Sequence, residues 1–146
     1  TDDTINRFYT VTKKYYEENV FKYDEFFKFK LIPKCIQHIN DNKQIPIHGD
    51  GSYVRDWTYV KDNISALVML IEKGIKNDVY NIAAENYMTN LQVANTILEW
   101  FGKDNKLIKF VENRWGQDLR YAVDSAKIRK LGWQPKYENG IYKWIK

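Results

Sequence analysis

Cysteine is almost missing from this chain of 146 residues: Cys35 is the only one. A single thiol excludes an internal disulfide. With His38 and His48 the only histidines, the usual cysteine–histidine spacing of a zinc site is excluded as well. Within a helical pattern Cys35 reads as a small buried hydrophobe rather than a nucleophile. Long apolar runs are also missing. None approaches the roughly 20 residues of a membrane span and no signal peptide stands out, so the expected location is cytoplasmic, with no membrane partner. Glycine is scarce and scattered, seven residues in all. None forms the glycine-rich turn between a strand and a helix that lets a backbone approach a pyrophosphate. Proline occurs three times, singly, so no Pro/Gly-rich linker divides the chain, and no repeat or low-complexity tract is present. The excess of basic over acidic residues is mild, 23 to 19. It favours an anionic ligand. No Lys/Arg stripe interleaved with aromatics points to nucleic acid.

What is there is a globular composition: 44% hydrophobic, with eleven Tyr, seven Phe and five Trp. One domain with a modest core fits that length. Residues 1–28 read differently from 29–146. They are charged, tyrosine-rich and free of Gly and Pro, and Asp2, Asp3 or Thr4 would cap a helix through Tyr16. Beyond them, Ile32, Cys35, Ile36 and Ile39 recur at helical spacing, and Asn40-Asp41-Asn42 ends that helix. Residues 44–48 suit a short strand. Asp62 or Asn63 is expected to cap a second helix with Ile64, Leu67, Val68 and Ile71 inward, stopped at Gly74. Residues 79–83 suit a short buried strand. Thr89 or Asn90 starts a third helix with Val93, Ile97 and Leu98 inward, stopped by Gly102. Residues 107–111 suit another strand. Ser125 starts a fourth helix that ends at Gly132, and a final helix is expected over 138–146. Strands alternating with helices give an α/β class, a small sheet with several helices and some parallel pairing.

The stretch from Pro46 to Asn63 carries the chemistry. A glycine-bearing turn, His48-Gly49-Asp50-Gly51, leads into Arg55-Asp56-Trp57-Thr58-Tyr59-Val60. An arginine beside a rigid aromatic can present a planar guanidinium to an anion such as a diphosphate. The competing reading is a loop arginine paired with a neighbouring carboxylate. Trp57 and Tyr59 read as core aromatics, Asp56 as a local hydrogen-bond acceptor, and Trp133 and Pro135 as packing and turn residues.

That stretch resembles the substrate-binding region of the nucleoside-diphosphate-glucose 4,6-dehydratases, which are extended short-chain dehydrogenase/reductases. Four further blocks match in the same order. They are Lys30-Leu31-Ile32-Pro33-Lys34, Tyr80-Asn81-Ile82-Ala83-Ala84, the segment from Glu112 to Tyr121, and Leu131-Gly132-Trp133-Gln134-Pro135. The chain departs from the pattern at Ala83-Ala84 (a glycine pair in the family), at Gln117 (a histidine) and at Trp115 (a proline).

The resemblance implies the C-terminal, sugar-nucleotide-binding part of such an enzyme over residues 29–146, with the dinucleotide-binding core largely absent. It implies that Arg55, Asn81 and Arg114 hold the substrate diphosphate, while Lys30, Leu31, Pro46 and His48 line the nucleobase and ribose. In the complete family enzyme NAD takes hydride from C4 of the glucose, water leaves across C5–C6, and hydride returns to C6. Tyr9 and Lys13 have the Tyr-x-x-x-Lys spacing of the reductases' catalytic pair, which puts them on one helix face. The interval from Lys13 to Lys30 is shorter than the family's, and its Thr-Asp-Glu stretch is missing. The chain alone is therefore expected to be inactive and to bind no NAD. The expected partners are a nucleoside-diphosphate sugar and either a dinucleotide-binding half or a second copy of the chain. A non-catalytic sugar-nucleotide-binding or interaction protein, and part of a related decarboxylase or epimerase, are the alternatives. The choice between dTDP and UDP stays open.

Overall fold

A computed structural model describes residues 30–73, 75–137 and 141. The expected N-terminal helix, with Tyr9 and Lys13, and the final helix over 138–146 apart from the buried, helical Ile141 lie outside the described residues, as does Gly74. The elements in chain order are α1 (Leu31–Asn40), β1 (Ile45–His48), β2 (Val54–Asp56), α2 (Val60–Glu72), β3 (Tyr87–Thr89), α3 (Asn90–Trp100), a 3-10 turn (Asn105–Leu107), β4 (Ile108–Val111) and α4 (Ala126–Arg129). By their contacts these residues fall into two units, 30–55 with 87–121 and 56–86 with 122–137.

In the first of these units the core is built by α1, α3 and β1. Cys35 and Ile39 of α1, Ile45 and Ile47 of β1, and Val93, Ala94, Ile97 and Leu98 of α3 are all buried. Full burial of each large aliphatic side chain is worth about 1.5–3 kcal/mol. α3 starts as its sequence demands. Thr89 accepts the Gln92 backbone N–H, and the Gln92 side chain accepts the Thr89 N–H, a reciprocal capping box. β1 runs parallel to β4, with Ile45 opposite Ile108 and His48 opposite Val111. β2 and β3 form a second two-stranded pairing that residue spacing did not suggest. Each has only three residues, too few to show an alternating pattern.

In the second unit α2 packs Ala66 against Ile128 and Trp133, with Met69, Leu70, Tyr80 and Ile82 partly buried around them. The Trp133 indole donates to Ser65 Oγ at 2.9 Å, which satisfies its one polar atom. The helix start differs from the expected one. Tyr59 is the N-cap residue, and Asp62 lies within the first turn, 1% exposed. Its two carboxylate oxygens accept the backbone N–H groups of Lys136 (2.8 Å) and Tyr137 (3.1 Å). Two amides and the positive end of the helix dipole make a buried carboxylate tolerable there. The inward face also differs, being Ile64, Ala66 and Val68, whereas Leu67 and Ile71 are exposed. The expected strand over 79–83 does not form. Ala83 and Ala84 are buried but Val79 is 81% exposed, and among the described residues no strand pairs with this segment. Asp56 acts as the local acceptor it was read to be, taking the Glu85 and Asn86 N–H groups at 3.1 and 3.0 Å.

No helix among the described residues is long and apolar enough to cross a membrane. Two predictions follow the packing. Burial pushes the Cys35 thiol up from 9.0 to about 12, with Lys34 pulling the other way. Iodoacetamide is therefore expected to label Cys35 only as the chain unfolds. The unfolded chain loses this proton near 9.0 while the folded chain keeps it to about 12, so stability from this group is complete below 9.0 and falls as pH rises between the two. Removing the carboxylate in Asp62→Ala leaves two amides unpaired, and urea unfolding is expected to show a loss of about 2–4 kcal/mol. An unchanged midpoint would mean that water replaces the carboxylate without cost.

Candidate functional site

Parallel strands bring their C-terminal ends to one edge, and the loops leaving those ends are where α/β folds gather polar groups. Here the loops follow His48 of β1 and Val111 of β4. Gly49 N–H donates to Val111 O at 3.0 Å, so the ladder runs one residue into the turn. Gly51 then takes φ +76°, and a Cβ there would sit 2.8 Å from Leu91 Cβ and 2.9 Å from Ile47 Cγ2. No side chain fits this position. Asp50 closes the turn by accepting the Ser52 N–H at 2.9 Å, and hydrogen bonding from the Ser52 side chain, with this backbone bond second, holds its carboxyl below the ordinary range.

The turn delivers Tyr53, only 4% exposed, and then Arg55. Residues 119–121 run alongside. Val54 N–H donates to Leu119 O at 2.9 Å, and Tyr121 N–H donates to Val54 O at 3.2 Å. That pairing sets the Tyr121 ring 4.6 Å from the Arg55 guanidinium carbon, and the Tyr53 ring lies at 6.0 Å. One guanidinium nitrogen donates to Val54 O at 2.7 Å. Among the described residues no carboxylate forms an ion pair with Arg55. The arginine is held by two aromatic faces and one carbonyl, which leaves donors for an anion.

Arg114 comes from the other loop. Its Nε–H donates to His48 Nε2 at 3.0 Å, and His48 Nδ1 lies 2.9 Å from the Glu112 carbonyl oxygen. A guanidinium can only donate and a carbonyl can only accept, so His48 is the neutral Nδ1–H tautomer. Asn113 accepts the Arg114 N–H at 2.9 Å and donates its own amide to the Tyr53 hydroxyl. Tyr53 thus touches both halves, with its ring toward Arg55 and its hydroxyl toward the Arg114 loop. A pocket of about 410 Å³ opens here, lined by Tyr53, Glu112, Asn113, Arg114, Trp115, Gly116 and Gln117. The Gln117 side-chain oxygen is buried in it without a hydrogen-bond partner.

Of the residues expected from the sequence, the structure brings His48 and Arg114 into contact and joins Arg55 to them through Tyr53. Arg114 lines the pocket, whereas Lys30, Leu31, Pro46, His48 and Arg55 do not. Lys30 is the N-cap residue of α1, Leu31 its first helical residue, and Pro46 sits within β1. Asn81 belongs to the other unit, where its side-chain amide donates to Asp124 O at 3.3 Å. Tyr9 and Lys13 lie outside the described residues. Sequence reading missed Tyr53, Asn113 and Tyr121 as site-forming groups. The signal for Tyr53 was its place directly after a glycine turn, one residue before the arginine-bearing strand.

Among the described residues no group of His, Cys, Asp and Glu could hold a metal ion. Gly49 and Gly51 connect a strand to a strand, and no described strand–glycine turn–helix unit offers a helix N-terminus to a pyrophosphate.

Comparison with known proteins adds the family. A family model described as GDP-mannose 4,6 dehydratase matches residues 3–141. The low-salt glycan biosynthesis protein Agl12 of Haloferax volcanii is 44% identical over 114 residues, covering 77% of this chain and 37% of that protein. The dTDP-glucose 4,6-dehydratase of Neisseria gonorrhoeae is 41% identical over 133 residues, covering 82% of this chain and 38% of the enzyme. Among solved structures, the dTDP-glucose 4,6-dehydratase of Bacillus anthracis in complex with NAD superposes with a TM-score of 0.70 at 38% identity, covering 76% of this chain and 35% of that one. The chain therefore spans well under half the length of these relatives.

The Arg55 environment is open to a direct test. A hydrogen bond to Asp118, and the negative charge of that carboxylate, hold the Tyr121 phenol above the ordinary tyrosine range, while Arg55 pulls it down. In a carbon-13 NMR titration Tyr121 is expected to ionise later than an ordinary tyrosine. Asp118→Asn should bring it down and Arg55→Ala should raise it further. A titration blind to Arg55→Ala would separate the guanidinium from this ring.

Proposed function

The chain belongs to the family described as GDP-mannose 4,6 dehydratase, and we propose that it is the C-terminal, substrate-binding portion of a nucleoside-diphosphate-glucose 4,6-dehydratase. On this reading Arg55 and Arg114 hold the diphosphate of the sugar nucleotide. Lys30, Leu31, Pro46 and His48 serve the nucleobase and ribose side.

The observation that carries the reading is the state of Arg55. Its guanidinium lies over Tyr121, within 4.6 Å, with no described carboxylate paired to it. An arginine held by aromatic faces keeps a planar fork of donors that matches a pyrophosphate, and charge-assisted bidentate hydrogen bonds give such contacts both strength and direction. The net charge of +4 favours an anion in the same way. The share of these residues in the reaction is binding and orientation: fixing the diphosphate fixes where the sugar lies.

Titration calorimetry with UDP, dTDP and uridine tests the proposal. Both diphosphates should bind more tightly than the nucleoside, and added salt should weaken them. Charge-assisted hydrogen bonds are worth about 1.5–3 kcal/mol, so Arg55→Ala should weaken diphosphate binding roughly 10- to 150-fold and leave uridine unchanged. Equal affinity for nucleoside and diphosphate would make Arg55 a structural residue and end the proposal.

A further inference from the structure

We propose that His48 is a positioning residue for Arg114, and that its protonation releases the diphosphate-binding arginine. The inference rests on the reading that Arg114 contacts the diphosphate. Beyond that reading, it gives His48 a role through hydrogen bonding to the protein rather than through contact with the nucleobase, and it makes binding acid-sensitive.

The argument starts from the two bonds of the imidazole. Glu112 O fixes Nδ1 as the protonated nitrogen, and the Arg114 Nε–H takes the lone pair on Nε2. Both nitrogens are used and only the neutral ring can satisfy both neighbours. Arg114 is otherwise an exposed side chain on a loop, with no ion pair among the described residues. A free arginine loses much rotamer freedom on binding a phosphate. The His48 contact removes part of that cost in advance. It engages only Nε, so the two terminal nitrogens stay available for a bidentate contact.

Protonating Nε2 replaces the acceptor with a donor and sets two cations against each other. The titratable groups on the segments that meet at His48 are Glu112, Arg114 and Asp118 on the loop after β4, and Asp50 and Tyr53 on the turn after β1; Asp118 is engaged by the Tyr121 hydroxyl. The Asp50 carboxylate is engaged by Ser52, and Glu112 meets the ring through its carbonyl. The bond to Arg114 is the one that protonation of His48 reverses.

UDP-glucose is the suitable probe, because its diphosphate is a diester and has no proton to gain or lose near neutral pH. With the full chain, affinity for UDP-glucose should fall about tenfold or more from pH 8 to pH 5. His48→Gln places an amide oxygen near the Nε2 position and cannot titrate. It should bind better than His48→Asn, whose shorter amide keeps only the Glu112 contact, and it should lose the acid effect. In nitrogen-15 NMR of the unliganded chain, the Arg114 Nε–H should be protected from exchange at about pH 8 and lose that protection on acidification, and His48→Asn should abolish the protection at every pH. Stronger binding in acid would show the imidazolium itself holding phosphate, and would overturn the inference. So would an Arg114 signal indifferent to His48, or equal behaviour of His48→Gln and His48→Asn. If the NMR coupling is present but Arg55→Ala leaves UDP-glucose binding unchanged, the His48–Arg114 link stands and the diphosphate reading falls.

Discussion

The parallel pairing of β1 with β4 is the constraint from which the candidate site follows. Its register sets His48 opposite Val111, so the two loops that leave the strands start side by side. The alternation in β1 fixes that register, because Ile45 and Ile47 must both stay in the core. A slip of one residue would expose both isoleucines and turn His48 away from the Arg114 loop. Gly51 then lets the chain pass Leu91 and Ile47 where any side chain would collide. Tyr53 lands buried, between Arg55 and the Arg114 loop. None of these polar contacts needs a long-range charge interaction to form. Hydrophobic register places them and hydrogen bonds finish the arrangement.

Two arginines show how differently the same side chain can be used. Arg129 lies in the unit built on α2. It donates to Ser125 Oγ (2.9 Å), Gln134 (2.8 Å) and the Ala84 carbonyl (3.2 Å), and it sits 3.4 Å from Glu85. Its fork is spent on tying a short helix to the 83–85 segment. Arg55 spends one donor on a neighbouring carbonyl and rests on aromatic rings. Composition cannot tell these cases apart, since both arginines have acidic residues nearby in the sequence. Arg129 also has the Trp133 ring within 5.8 Å, so the difference lies in whether folding brings a carboxylate to the guanidinium.

That distinction also marks how far the sequence could be read. Helices whose apolar residues recur at 3.6 spacing were legible, and α1 and α3 match their expected spans because spacing and stops agree there, with a capping box as well at the start of α3. The α2 face was misread because Leu67 and Ile71 are apolar yet exposed, while the small Ala66 makes the central contact. Size and periodicity favour leucine, but close approach of Trp133 favours alanine. Asp62 was misread for a related reason. A carboxylate near a helix start suggests a cap, and only the fold reveals that residues 136–137 bring two amides to it. The segment 79–83 has the apolar composition of a strand, but strand formation also needs a neighbour, and composition does not supply one. At the site, His48, Arg55 and Arg114 were legible through resemblance. Tyr53 and Asn113 were not, because their roles arise from contacts across about sixty residues of chain.

Those contacts form a continuous chain: the Glu112 carbonyl, His48, Arg114, the Asn113 amide, the Tyr53 hydroxyl and ring, and Arg55. Each link fixes a donor or acceptor that the next requires. The carbonyl sets the imidazole tautomer, and the tautomer offers the lone pair that Arg114 uses. The Asn113 oxygen is taken by the Arg114 backbone, so its amide nitrogen is the end left to meet Tyr53. In such a network the loss of one member changes what its neighbours can bond, and energies assigned residue by residue do not add. The two arginines are therefore linked within one network. Arg114 is held through Nε and keeps both terminal nitrogens, whereas Arg55 gives one terminal nitrogen to the Val54 carbonyl and keeps its other donors, and the same buried tyrosine touches both settings.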